Sequence, residues 1–142
     1  MNIRQNKKLK SAALHILLCL VLLLCWRAAA IAEAIETISP LSAAKLIQIE
    51  KGNPDFVILD IRTPSEFQQV HLHKAFLLDF YSKTFVDDLK QLDKNKIYLV
   101  YCRSGNRSDK ALALFNRLGF TRVYSMADGI NGWIRADLPV IS

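Results

Sequence analysis

Short apolar runs alternate along the chain with stretches in which apolar residues recur at helical spacing. The runs are bounded by polar residues, as is typical of strands buried in a parallel sheet, and they predict strands at 56–59, 75–78, 97–101 and 123–126. The helical spacing predicts helices at 39–52, 63–68, 82–92, 108–118 and 129–136. This alternation predicts an α/β fold in which a mostly parallel central sheet is covered by helices on both faces.

Three of the predicted helices carry recognisable start signals. Ser39 followed by Pro40 has the order of an N-cap and a first helical residue. The segment 63–66, Thr-Pro-Ser-Glu, is a capping box with proline at its second position. Ser108 is the expected cap of the helix that ends before Gly119.

The first 34 residues have the order of a secretory signal peptide. A cationic start without acidic residues precedes an apolar stretch, Leu14–Trp26, that only His15 interrupts. Small residues follow, and the candidate cleavage points come after Ala30, Ala32 or Ala34. We therefore predict a signal peptide at 1–34 and one mature domain at 35–142. The protein would be exported, and periplasmic if its source is a Gram-negative bacterium.

The alternative for this leader is an uncleaved anchor that keeps the protein on a membrane. The apolar stretch is shorter than the ~20 residues that a membrane-spanning helix needs, and Arg27 ends it. A cleaved leader is therefore the favoured interpretation, and the mature domain is not expected to bind a membrane.

Most of the positive charge of the chain lies in the leader. The full sequence has 19 Lys and Arg against 13 Asp and Glu, a net charge of +6. Five of the basic residues and none of the acidic ones precede Glu33, so from there onward 14 basic residues face 13 acidic ones, a net charge of +1. Nucleic acid is therefore not a predicted partner.

Cys102 is the single cysteine outside the leader, because Cys19 and Cys25 lie in its apolar stretch. An odd cysteine in an exported chain is a candidate reactive thiol. Cys102 opens a polar run, 102–108, between a predicted strand and a predicted helix. In that arrangement backbone N–H groups and a helix N-terminus converge on the sulfur, and they favour a thiolate and an anionic substrate. Gly105 allows either a positive φ or a close backbone approach within such a loop.

Five segments in the same order resemble the rhodanese family of sulfurtransferases, over roughly residues 38–140. They are the strand that ends in Asp60-x-Arg62, the segment Pro64-x-Glu66-Phe67, the pair His71 and Ala75, the run 101–108, and the stretch from Leu118 to Val140. Two departures concern backbone shape. The family's Gly-His-Ile-Pro-Gly-Ala reads Val-His-Leu-His-Lys-Ala at 70–75, and its Gly-Gly before the last helix reads Asp128-Gly129.

The resemblance implies a single rhodanese-like domain at 35–142 that acts as an exported thiosulfate sulfurtransferase without a cofactor. Cys102 would hold the transferred sulfur as a persulfide, between an anionic donor such as thiosulfate and a cyanide or thiol acceptor; a protein acceptor is an alternative. The candidate donor-binding residues are Arg103, Ser104, Gly105, Asn106 and Arg107, because a guanidinium suits sulfonate oxygens. Residues expected behind this loop are Asp60 and Arg62, as a strand-end ion pair, and Ser108.

Three other functions stay open, one of which, a thiol–disulfide role, would need intermolecular pairing through Cys102. Phosphatases and arsenate reductases of related fold place five residues between cysteine and arginine, whereas four separate Cys102 from Arg107, and the shorter loop suits a single sulfur. A non-catalytic binding module of the same family is the second alternative, although such modules usually lack the cysteine. His71 and His73 have no cysteine or carboxylate beside them, so we predict no metal site.

Overall fold

The computed structural model describes residues 34–142, so the predicted signal peptide lies outside the described residues apart from Ala34. The described chain forms these elements in order: β1 (Ala34–Ile38), α1 (Pro40–Ile49), β2 (Phe56–Asp60), α2 (Pro64–Gln69), β3 (Phe76–Leu77), α3 (Phe85–Gln91), β4 (Ile97–Tyr101), α4 (Asn106–Arg117), β5 (Arg122–Met126) and α5 (Gly129–Arg135). Between Ala34 and Ser142, no helix has the length and apolar character needed to cross a membrane.

The strands form one sheet in the order β1-β5-β4-β2-β3, and every neighbouring pair is parallel. β4 lies in the middle, with β2 on one side and β5 on the other. Both pairings leave the carboxyl end of β4 between the carboxyl ends of its neighbours, where ligands bind in open parallel sheets. The predicted α/β fold with a parallel sheet is confirmed.

Helices cover both faces of this sheet, as predicted. Alternate residues of β4 point to opposite faces. Tyr98 and Val100 belong to a core that also contains residues of α3 and α4, whereas Leu99 and Tyr101 belong to a core that contains residues of α1 and α5. Both cores are buried, so β4 is apolar along its whole length, which explains why its continuous apolar run predicts it correctly.

The apolar pattern does not predict β1, which begins at Ala34, the last residue of the predicted leader. Among residues 34–142 it is an edge strand whose one partner is β5, and its half-buried and exposed positions form no continuous apolar run. The backbone N–H of Ala34 donates to the carbonyl of Thr121 at 2.8 Å. Cleavage after Ala34 would remove this bond from the edge of the sheet, whereas cleavage after Ala30 or Ala32 would leave it in place.

The helix starts agree with the sequence in two places and differ in two. Ser39 caps α1, and both arms of the capping box at Thr63 are formed at the start of α2, as predicted. α3 begins at Phe85 rather than at 82, because 82–84 form a turn in which the backbone N–H of Thr84 donates to the Ser82 hydroxyl. The prediction that Ser108 caps α4 is wrong, and the reason lies in the loop that precedes it.

Candidate active site

Cys102 is the first residue after β4, and its side chain is buried, with 1 % of its surface exposed. Its Sγ accepts a hydrogen bond from the backbone N–H of Gly105 at 3.2 Å and lies 3.7 Å from the hydroxyl of Ser108, which is placed to donate to it. Residues 102–107, here called the cysteine loop, therefore wrap donors around one sulfur atom. The arrangement is the one expected from the strand–loop–helix pattern.

The electrostatic surroundings favour the thiolate form of Cys102. Burial raises the pKa of the thiol, but hydrogen bonds lower it by more, and the pKa lies below its ordinary value. The donors are the backbone N–H and hydroxyl of Ser108, followed by the backbone N–H groups of Ser104 and Arg107. The N-terminus of α4 points its positive end the same way. A low pKa is what makes a cysteine a nucleophile near neutral pH.

Gly105 turns the cysteine loop into α4. Its φ of +94° is one that side-chain-bearing residues rarely adopt, as expected for this glycine, and a Cβ there would lie 3.2 Å from the backbone N of Asp128. Because Gly105 itself is the N-cap, α4 begins at Asn106 and Ser108 falls inside the first turn. The Ser108 hydroxyl has one proton and two acceptors within reach, the carbonyl of Gly105 at 2.9 Å and the sulfur at 3.7 Å, and it does not cap the helix.

The start of α5 holds the cysteine loop from behind, a contact that the sequence pattern does not predict. The backbone N–H of Ile130 donates to the carbonyl of Cys102 at 2.8 Å, and that of Asn131 donates to the carbonyl of Arg103 at 3.1 Å. The approach is close enough that a Cβ on Gly129 would lie 2.2 Å from the carbonyl oxygen of Cys102. Gly129 is the one signal in the sequence that points to this contact.

The guanidinium of Arg107 is bound by Glu66 of α2. Two hydrogen bonds, of 2.7 and 2.8 Å, join the two side chains, which are 13 % and 23 % exposed. The hydrogen bond from Arg107 is the main reason that the pKa of Glu66 falls from 4.5 to about 2, and the same contact raises the pKa of Arg107. The ring of Tyr81 lies 5.4 Å from the guanidinium carbon.

Glu66 and Tyr81 are residues of the site that sequence reasoning does not find. The segment 63–66 predicts a helix start, and the same Glu66 carboxylate both closes that capping box and binds Arg107. The predicted donor-binding residues Arg103, Ser104 and Asn106 are exposed around the loop, whereas Arg107 is half-buried and Gly105 is buried. Within residues 34–142 the side chain of Arg103 has no hydrogen-bond or ion-pair partner.

Asp60 and Arg62 form the strand-end ion pair that the sequence predicts. Their side chains are 0 % and 3 % exposed, and the closest contact is 2.6 Å. Arg62 also donates to the carbonyl of Val70 and lies over the ring of Tyr101, the residue before Cys102. The pair therefore supports the end of β4 without reaching the sulfur, as expected for residues behind the loop.

The two histidines have different surroundings. His71 stacks on Phe67 and its ring Nδ1 bonds the carbonyl of the same residue at 3.0 Å. His73 is exposed. Among the described residues, no group of three His, Cys, Asp or Glu side chains is placed to hold a metal ion.

Comparison with known proteins shows which family the chain belongs to. The model of the rhodanese-like domain matches residues 42–136. A sulfurtransferase of Allochromatium vinosum is 30 % identical over 105 residues, which cover 74 % of this chain and 96 % of that protein. The thiosulfate sulfurtransferase GlpE of Tolumonas auensis is 34 % identical over 96 residues, 68 % of this chain and 85 % of that protein.

Solved structures agree on the fold. The crystal structure of a rhodanese-related protein from Thermoplasma volcanium superposes with a TM-score of 0.64 at 24 % identity, over 75 % of this chain and 97 % of the other. The crystal structure of the protein BH2092 from Bacillus halodurans gives a TM-score of 0.61 at 26 % identity, over 75 % and 77 %. With a family model over most of the chain and a fold that these structures share, the protein belongs to the rhodanese-like domain family.

Proposed function

We propose that the protein transfers a sulfane sulfur from thiosulfate, or a similar anionic donor, to cyanide or a thiol through a persulfide on Cys102. The observation that carries the proposal is the buried sulfur surrounded by hydrogen-bond donors at the start of α4. The sulfurtransferase names of the relatives support sulfur transfer in general. The donor, the acceptor and the intermediate are the proposed part.

The first step forms one S–S bond and breaks another. The Cys102 thiolate attacks the outer sulfur of thiosulfate, sulfite leaves with the electron pair of the broken bond, and a cysteine persulfide anion remains. In the second step, cyanide or a thiolate attacks the outer sulfur of the persulfide, and the Cys102 thiolate leaves. With cyanide the product is thiocyanate. The charges balance in each step, and no external oxidant or reductant is needed.

The cysteine loop supplies what both steps require. Each step begins or ends with negative charge on sulfur, and N–H groups already aimed at that charge stabilise it without rearrangement. Burial of Cys102 keeps water from the persulfide, and the fixed N-terminus of α4 favours the anion. We propose that these backbone groups, rather than a general base, activate the nucleophile.

The two arginines of the loop have different proposed roles. Arg103, the residue after Cys102, is exposed and has no carboxylate partner among residues 34–142, so we propose it as the guanidinium that binds a sulfonate. Arg107 is already paired with Glu66, and any contact with the donor would be made with its charge largely compensated. We therefore propose that Arg107 mainly holds the end of the cysteine loop through its ion pair with Glu66. Donor binding by Arg107 stays a prediction. Ser104 and Asn106 are also exposed, on either side of the buried Gly105.

The experiment is the intact mass of the purified protein with thiosulfate. One added sulfur, about 32 Da, is expected on the protein, followed by its loss and thiocyanate release when cyanide is added. Cys102→Ser should abolish both. Full turnover by Cys102→Ser would rule out the mechanism. Phosphatase activity that depends on Cys102, without thiosulfate turnover, would favour the phosphatase alternative. Absence of both activities would favour a binding module.

A second experiment separates the arginines. Arg103→Ala should raise the KM for thiosulfate roughly tenfold or more, as expected for loss of a charged hydrogen bond, with little change in stability. Arg117→Ala, exposed at the other end of α4, is the matched control and should leave KM unchanged. An unchanged KM in Arg103→Ala would assign sulfonate binding to other groups.

We propose that the protein is exported and that the mature chain begins between residues 31 and 35. The support is the order of charges, apolar residues and alanines in the leader. The sulfur acceptor would then be a small thiol or a partner protein of that compartment. The intact mass of the protein recovered from the exported fraction tests the cleavage point, and an uncleaved mass in the membrane fraction would favour the anchor.

A further inference from the structure

A groove of about 1010 Å³ lies on the sheet face covered by α1 and α5. Its apolar lining includes Ile47, Phe56, Ile58, Trp133 and Leu138. The lining contains no residue of the cysteine loop and includes the start of β2, so the groove lies toward the opposite edge of the sheet from Cys102. Grooves of this size and apolar character are typical of binding sites for small organic molecules.

The charged residues of the groove are mostly positive. Lys45, Lys51 and Lys74 line it, and among the described residues Glu50 is the one acidic residue of the lining. The Glu50 carboxylate accepts a hydrogen bond from the side-chain amide of Asn53 at 2.6 Å. Within the described chain, none of the three lysines forms an ion pair or a side-chain hydrogen bond. The groove therefore combines apolar walls with uncompensated ammonium groups.

The backbone conformation of Lys74 is strained. Its φ is +60°, in the left-handed region that costs a side-chain-bearing residue about 1–2 kcal/mol and that glycine adopts freely. A tight turn sets this conformation, because the backbone N–H of Ala75 donates to the carbonyl of Leu72 at 3.0 Å. Glycine would suit the turn better than lysine does, so Lys74 can be replaced by glycine without harm to the backbone.

We propose that this groove binds a free fatty acid, with the acyl chain against the apolar walls and the carboxylate among the three lysines. The apolar lining suits a hydrocarbon chain, and the excess of positive charge selects an anionic head group over a neutral or cationic one. The proposed site is separate from Cys102 and does not depend on sulfur transfer.

The test uses the full chain with Trp26→Phe, which leaves Trp133 as the single tryptophan and places the fluorescent reporter in the groove wall. Titration with octanoate, decanoate and dodecanoate below their micelle concentrations should change its emission. Affinity should rise about fourfold for each added methylene while the chain lengthens inside the groove. Decyltrimethylammonium, with a similar tail and a positive head, should bind much more weakly.

Lys74→Gly is the sharpest variant, because glycine suits a φ of +60° and the protein should be at least as stable as wild type. It should weaken dodecanoate binding by about 2–5-fold, the range of an exposed charge contact. The triple variant Lys45→Gln, Lys51→Gln, Lys74→Gln should weaken it further. Lys94→Gly, exposed in the turn before β4, is the matched control and should bind as wild type does.

Several results would overturn the proposal. They are equal binding of the cationic and anionic amphiphiles, affinity that does not depend on chain length, or unchanged affinity in the triple variant. Sedimentation of a stable dimer in which Trp133 is shielded from a quencher would assign the groove to a second copy of the chain instead. Cys102→Ser should bind dodecanoate like wild type, so failure of the sulfur-transfer proposal would leave this one standing.

Discussion

The substitution Glu66→Gln should lower the free energy of unfolding by an amount that depends on pH. The pKa of Glu66 falls from 4.5 to about 2, chiefly through its hydrogen bond to Arg107, with burial opposing and Thr63 assisting. At about 1.36 kcal/mol for each pKa unit, this drop corresponds to about 3 kcal/mol. The two side chains are 13 % and 23 % exposed, so solvent screens the pair less than it screens a surface pair.

The direction of the pH dependence follows from the linkage between proton binding and folding. The folded-state pKa of Glu66 is depressed, so its contribution is fully present above pH 4.5 and is lost as the pH falls toward 2. Urea unfolding should therefore show Glu66→Gln less stable than wild type at neutral pH, by up to about 3 kcal/mol. The difference in the free energy of unfolding between the two proteins should shrink as the pH is lowered from about 5 to about 2.

A more exposed ion pair provides the control for this measurement. Asp87→Asn removes the acidic partner of Lys90 in a pair that is 74 % and 51 % exposed, and it should change neither stability nor pH dependence measurably. If wild type and Glu66→Gln are equally stable at neutral pH, or if their difference stays constant down to pH 2, the ionised carboxylate of Glu66 does not stabilise the folded state.

Three further predictions concern the surroundings of the sulfur. Gly129→Ala should cost roughly 2–5 kcal/mol in urea unfolding, because a Cβ 2.2 Å from the carbonyl of Cys102 must displace the cysteine loop; wild-type stability would show that α5 can shift freely. Ser108→Ala should raise the pH midpoint of Cys102 alkylation, because the hydroxyl helps to lower the thiol pKa; an unmoved midpoint would leave the backbone donors as the sole cause. Arg62→Met should cost about 3–5 kcal/mol, because Asp60 stays buried without its partner, and a smaller loss would mean that water reaches the carboxylate.

Local signals predicted the parts of this protein that depend on near neighbours in the chain. Continuous apolar runs located β2 and β4, since strands buried on both faces carry apolar residues along most of their length. Ser39 and Thr63 predicted their helix starts, because a cap bonds backbone groups two or three residues away. Cys102 lies between a predicted strand and a predicted helix, and this position predicted that backbone N–H groups would surround its sulfur. Gly105, three residues later, indicated where the loop would take a conformation that favours glycine.

Contacts between distant segments were decided only by the tertiary structure. Glu66 and Arg107 are 41 residues apart, and no spacing rule joins them, because they meet only when β2 and β4 pair and bring α2 beside the cysteine loop. The support from Ile130 and the edge strand β1 likewise depend on where β5 lies in the sheet. The sequence by itself determined which cysteine lies between the central strand and the following helix, and what kind of loop holds it. The fold decided which charges surround that loop, because charge compensation depends on distance through space and not on separation along the chain.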